Sequence, residues 1–135
     1  MSTNASLSES AKDLLRRPVF AHLATVDADG TPHVTPMWVD VDGDHVVFNT
    51  AAGRKKVRNI ERSARVGVSV VDAAEPYTQR LALEGTVVAV TEDGADAHID
   101  ALARKYLGLD AYPWRQPGER RLKVLVRPDR VLMSP

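Results

Sequence analysis

PHVTPMWVDVDGDHVVFNT (residues 32–50) runs directly into AAGRKKVRNI (residues 51–60). In the first part, Val34, Met37, Trp38, Val39 and Val41 precede Asp42-Gly43-Asp44, and His45-Val46-Val47-Phe48-Asn49-Thr50 follows it. A short Asp/Gly turn between two apolar runs joins strands that must pair antiparallel. The spacing therefore predicts strands over 32–41 and 45–50. Pro32 and Pro36 give no ladder hydrogen bond, so the first strand belongs at an edge or a bulge. The second part changes period: a helix over 53–62 sets Val57 and Ile60 on one side and basic residues on the other.

Working towards the N-terminus, 19–26 reads as a strand closed by the turn Asp27-Ala28-Asp29-Gly30. Before it, Leu7, Ala11, Leu14 and Leu15 recur at helical spacing over 7–16, with Ser6 or Ser8 as cap and Pro18 as stop. Towards the C-terminus, RVGVSVVD predicts a strand over 65–72, and 80–91 a long strand in which Gly85 marks a bulge or bend. A helix then starts with Thr91 as N-cap. It carries Ala95, Ile99, Leu102 and Tyr106 on one face and Arg104 and Lys105 in its last turn, and it ends at Gly108. The last strand spans 120–133, broken near Pro128. The expected fold is mainly β: six antiparallel strands in a closed or nearly closed barrel with peripheral helices, one domain over 1–135.

The bulk numbers bound the function. With 18 basic and 18 acidic residues among 135, no strong bulk field draws the chain to nucleic acid. The absence of cysteine excludes disulfides, thiolate metal sites and thiol catalysis. The polar stretch Met1 to Ser10 does not read as a signal peptide, and no apolar run approaches the ~20 residues that span a bilayer. The expectation is a cytoplasmic protein with neither nucleic-acid nor membrane partners.

Chemistry concentrates in 48–59, where a strand meets a small-residue turn and then a cation-rich helix start. Helix N-termini present unpaired N–H groups and a partial positive charge, so they bind anions. Several basic residues there oppose the helix dipole, which an external anion would relieve. Arg54 offers a fork of donors, Lys55 and Lys56 offer point charges, and Thr50 offers a hydroxyl. A solvated basic helix face accounts for the same residues equally well on composition alone.

Other candidates carry less. His22, His33, His45 and His98 lack metal-ligand spacing and read as structural or surface residues. No nucleophile elbow or dinucleotide fingerprint occurs, and Asp40, Asp42 and Asp44 form a turn without an EF-hand's downstream glutamate. Tyr77, Tyr112 and Trp114 fall in loops, either as lids over the core or as walls of a pocket for a flat ligand. No residue is singled out as catalytic or metal-binding.

The succession of 32–50, GRKKVRNI, RVGVSVVD, Pro76-Tyr77 and Leu83-Glu84-Gly85 resembles the pyridoxamine 5′-phosphate oxidase-like flavin-binding split-barrel superfamily. The short length, KYLG (105–108) and the Tyr112-Pro113 loop resemble its small deazaflavin branch, which depends on coenzyme F420. The resemblance implies a phosphate site on Thr50, Arg54, Lys55 and Lys56, with Asn49 and Asn59 nearby. It also implies a ring-flanking strand at Pro36, Met37 and Trp38, and a homodimer with cofactors at the subunit interface. The implied activity is F420-dependent reduction of a small unsaturated organic substrate, with Tyr77, Tyr112 and Trp114 as pocket candidates. An FMN-dependent oxidoreductase of the same fold and a non-catalytic flavin or tetrapyrrole binder are the alternatives. The cofactor would carry the hydride chemistry, so an acid/base constellation is not required.

Overall fold

Ser8 accepts a hydrogen bond from the Ala11 amide and starts α1 (Glu9–Arg16), which lays Ala11, Leu14 and Leu15 on the core. The computed structural model describes residues 6–135, so the sequence expectation for the first five residues lies outside the described part. The chain continues through β1 (Phe20–Val26), β2 (Pro32–Trp38), β3 (Asp40–Asp42), β4 (His45–Ala51) and α2 (Lys55–Arg62). It then forms β5 (Arg65–Val71), β6 (Arg80–Thr91), α3 (Ala95–Leu107) and β7 (Arg121–Met133).

All neighbouring strands pair antiparallel in one sheet of seven, ordered β2-β1-β5-β6-β7-β4-β3. The two edge strands, β2 and β3, are separated in the chain by Val39 alone. A sheet whose edges are one residue apart must curl until they meet, which makes it a split barrel. Its interior is filled by Leu23, Val46, Phe48, Val68, Leu83, Val124 and their neighbours. The expected six strands become seven because the predicted strand over 32–41 breaks at this corner.

The corner is held from outside. Tyr106 on α3 donates its hydroxyl to the Val19 carbonyl (2.6 Å) and accepts the Val39 amide (2.9 Å). Lys105 Nζ donates to the carbonyls of Val39 (2.6 Å) and Leu15 (2.7 Å). Backbone groups turned out of the ladder thus find partners, as buried ones must. Burial pushes the Tyr106 phenol up to about 12 and the Lys105 ammonium down to about 8.

Three other expectations are corrected. α2 begins at Lys55 with Arg54 as N-cap, because Gly53 takes φ +89° and lies outside the helix. Thr91 ends β6 rather than capping α3, whose N-cap is Gly94 in the left-handed region. Pro128 does not interrupt β7, because it sits opposite Gly85 at a register shift. Edge placement of the prolines of β2, the bend at Gly85 and the stop at Gly108 are as expected. No helix among the described residues is long and apolar enough to cross a membrane.

Candidate functional site

A cleft of about 260 Å³ opens where the end of β2, the β4–α2 turn, α3 and the 109–120 loop meet. Its lining combines the cations Arg54, Lys56 and Arg121 with the aromatics Trp38, Tyr112 and Trp114, and the two sets meet where the Arg121 guanidinium lies 5.1 Å from the Tyr112 ring. Trp38 stacks on Tyr106 with centroids 4.9 Å apart and planes 10° from parallel. Its other neighbours are Tyr112 and Trp114, each 6.1 Å away. The bonds Tyr106 makes to the corner therefore fix the platform on which Trp38 lies.

The cationic lining follows from local sequence. No acidic residue occupies the first turn of α2, and its N-cap, Arg54, makes no side-chain capping bond, so the first-turn amides lack that partner. The charged form of Lys56 is disfavoured first by burial and then by the like charges of Arg54 and Arg121. Glu119 pairs with Arg121 at 2.9 Å, whereas Arg54 and Lys56 have no ion-pair partner among the described residues, so an anion joining these two would relieve their repulsion.

The structure sorts the residues singled out from sequence into three groups. Pro36, Met37, Trp38, Asn49, Thr50, Arg54, Lys56, Tyr112 and Trp114 line the cleft together. Lys55 and Asn59 do not: Lys55 pairs with Asp27 at 2.9 Å. Asn59 Nδ2 donates to Thr25 Oγ1 and Asp27 Oδ1, pinning α2 to β1 and its turn. The Lys55 and Asn59 contacts together hold the Asp27 carboxyl below its ordinary range. Tyr77 is 86% exposed and does not line the cleft.

Sequence reasoning missed Phe20 and Arg121 in the cleft and Tyr106 behind it. Arg121 stands opposite Ala51 in the β4–β7 ladder, a long-range pairing that carries no local signal. Its buried guanidinium donates through Nε to Asn49 Oδ1 and through Nη1 to Glu119 Oε1, both at 2.9 Å. Asn49 spends its own amide protons inside the fold, towards the Ala95 carbonyl (2.9 Å) and His98 Nδ1 (3.1 Å). Asn49 is thus a bracket between α3 and Arg121.

His98 is the last member of this chain of bonds. Burial, then the charge of Lys123, lowers its pKa to about 4, and its Nε2 is buried without a partner. Between pH 4 and 6.5 the unfolded chain holds this proton and the folded chain does not, so stability falls as pH drops through that window. Wild type is expected to lose about 1–2 kcal/mol between pH 6.5 and 4.5, less than the full linkage value because the ring is partly solvated. Urea denaturation of His98→Gln across the same range should show a flatter profile; equal slopes would count against this origin.

A model of the pyridoxamine 5′-phosphate oxidase family matches residues 7–132, and the chain belongs to that family. Within it, the chain is 33% identical over 136 residues to the F420H2-dependent biliverdin reductase of Mycobacterium tuberculosis, covering 99% of this chain and 93% of the relative. A solved structure described as an F420 reductase superposes with a TM-score of 0.79 at 35% identity, over 93% of this chain and 98% of the other. A conserved hypothetical protein of M. tuberculosis shares the fold at 23% identity and a TM-score of 0.74, over 97% of this chain and 88% of the other.

Proposed function

We propose that this protein is an F420-dependent reductase that delivers a hydride to a small, flat, unsaturated organic substrate. The observation that carries the reading is one cleft that holds the cations Arg54 and Lys56, without ion-pair partners among the described residues, together with an aromatic wall. The two F420-linked relatives support the choice of cofactor. Arg54, Lys56 and the first-turn amides of α2 would hold the cofactor phosphate, with Thr50 adding its hydroxyl. Trp38, Tyr112 and Trp114 would flank a flat ring and keep water away from it. Bound reduced F420 supplies the hydride, and the protein supplies orientation and electrostatics.

The deciding experiment titrates purified protein separately with F420 and FMN, then follows oxidation of reduced F420 on adding enones and quinones. Tighter binding of F420 and protein-dependent oxidation are expected. Tight FMN binding without F420 binding would favour the FMN oxidoreductase. Saturable F420 binding without oxidation across the panel would favour a carrier.

The same reading includes a homodimer. Phe20 and Val26 on β1 and Val34 on the neighbouring edge strand β2 are exposed, at 55%, 43% and 57%. Their apolar face runs up to the cleft, which Phe20 and Pro36 also line. The filled barrel leaves no room inside for a ring, so a second copy on this face would roof the cleft. Light scattering at micromolar concentration is expected to give twice the 14.8 kDa chain mass. A strict monomer that binds F420 tightly would refute the shared site.

A further inference from the structure

Arg121 is built into the cleft in a way that the phosphate reading does not use. Its side chain is only 6% exposed, yet it lines the cleft. Nε is committed to Asn49 and Nη1 to Glu119, and among the described residues Nη2 has no hydrogen-bond partner. The Tyr112 ring lies 5.1 Å from Cζ. Asn49, anchored on Ala95 and His98, fixes the guanidinium plane, so little rotamer freedom remains to be lost on binding a ligand. A rigid guanidinium that is paired with Glu119 through Nη1, close to Lys56 and against the Tyr112 ring keeps Nη2 to donate, which favours an anionic oxygen attached to a flat ring.

We propose that Arg121 is a specificity residue that reads an anionic oxygen, such as a carboxylate, on a flat conjugated substrate lying against Trp38, Tyr112 and Trp114. Arg54 and Lys56, at the α2 N-terminus, remain for the cofactor phosphate. The inference rests on the reading above only in treating this cleft as the substrate site.

The test needs no cofactor, so a chain that binds no F420 would fail the functional reading and leave this measurement intact. Trp38 and Trp114 are the protein's two tryptophans and both line the cleft, so intrinsic fluorescence reports its occupancy. Anthraquinone-2-sulfonate and neutral 2-(hydroxymethyl)anthraquinone, titrated in parallel into wild type, Arg121→Gln and Arg54→Ala, separate charge from shape. Wild type is expected to prefer the anion by about tenfold, with Arg121→Gln reducing the ratio to about 1–2 and Arg54→Ala keeping most of it. Should Arg121→Gln unfold at the titration temperature, Arg121→Lys replaces it. That variant keeps a charge without the planar fork, and its ratio is expected to fall to about 3 or less. No preference in wild type, a preference kept by the Arg121 variants, or equal loss in the Arg54 and Arg121 variants would overturn the proposal.

Discussion

Replacing Arg54 and Lys56 together by alanine is expected to weaken F420 binding by about 100–1,000-fold, roughly 3–4 kcal/mol. A hydrogen bond to a charged group contributes about 1.5–3 kcal/mol, so two independent contacts would sum to about 3–6 kcal/mol. The contacts are not independent, because Arg54 disfavours the charged form of Lys56. Removing either cation relieves the other, so each single variant should lose less than its contact contributes and the double variant more than the sum of the singles. Lys55→Ala provides the contrast: that ammonium is 2.9 Å from Asp27 and outside the cleft, so less than about threefold is expected. Fluorescence titration with F420 at several salt concentrations measures wild type, the two single variants, the double variant and Lys55→Ala, and wild-type affinity should fall as salt rises. Equal affinities for wild type and the double variant would make the basic turn a solvated helix face.

The boundary between what was legible in the sequence and what was not follows the range of the interactions. The turn at Asp42-Gly43-Asp44 needs only residues next to each other, and the ladder pairs Asp42 with His45 as the sequence suggested. The basic turn was legible as a possible anion site because its conflict with the helix dipole is local. The break at Val39 was not, because its cause is Tyr106 and Lys105, some 66 residues further along the chain. Arg121 was hidden for the same reason: only the β4–β7 register and the Asn49 bracket make it part of the cleft. Lys55 and Lys56 are neighbours of identical chemistry, and only helix phase sends one to Asp27 and the other into the cleft. Sequence spacing could place the cations on one helix end but could not divide them between its two sides.

Gly85→Val is expected to cost about 3–5 kcal/mol of stability, because this glycine sits where the barrel bends. Register shifts flank it in the β6–β7 ladder, and its partner is Pro128, a fully buried residue that donates no ladder bond. A Cβ at position 85 would stand 2.6 Å from Val126 Cγ1 and 2.7 Å from the Arg127 carbonyl oxygen. The valine contact can yield by a rotamer change, but the carbonyl belongs to the backbone of the neighbouring strand. Relief therefore requires the two longest strands to separate locally, opening a core that includes Val126 and Leu83. The backbone at Gly85 is not left-handed, so the cost is steric rather than conformational. Gly67 makes the comparison sharp: a Cβ there would meet Ala24 Cβ at 3.5 Å, an ordinary contact, and Gly67→Ala should change stability by less than about 1 kcal/mol. Urea denaturation read by circular dichroism would rank the variants, with Gly85→Ala between them at about 2 kcal/mol. If Gly85→Val unfolds at the same urea concentration as Gly67→Ala, the bend does not depend on the missing side chain.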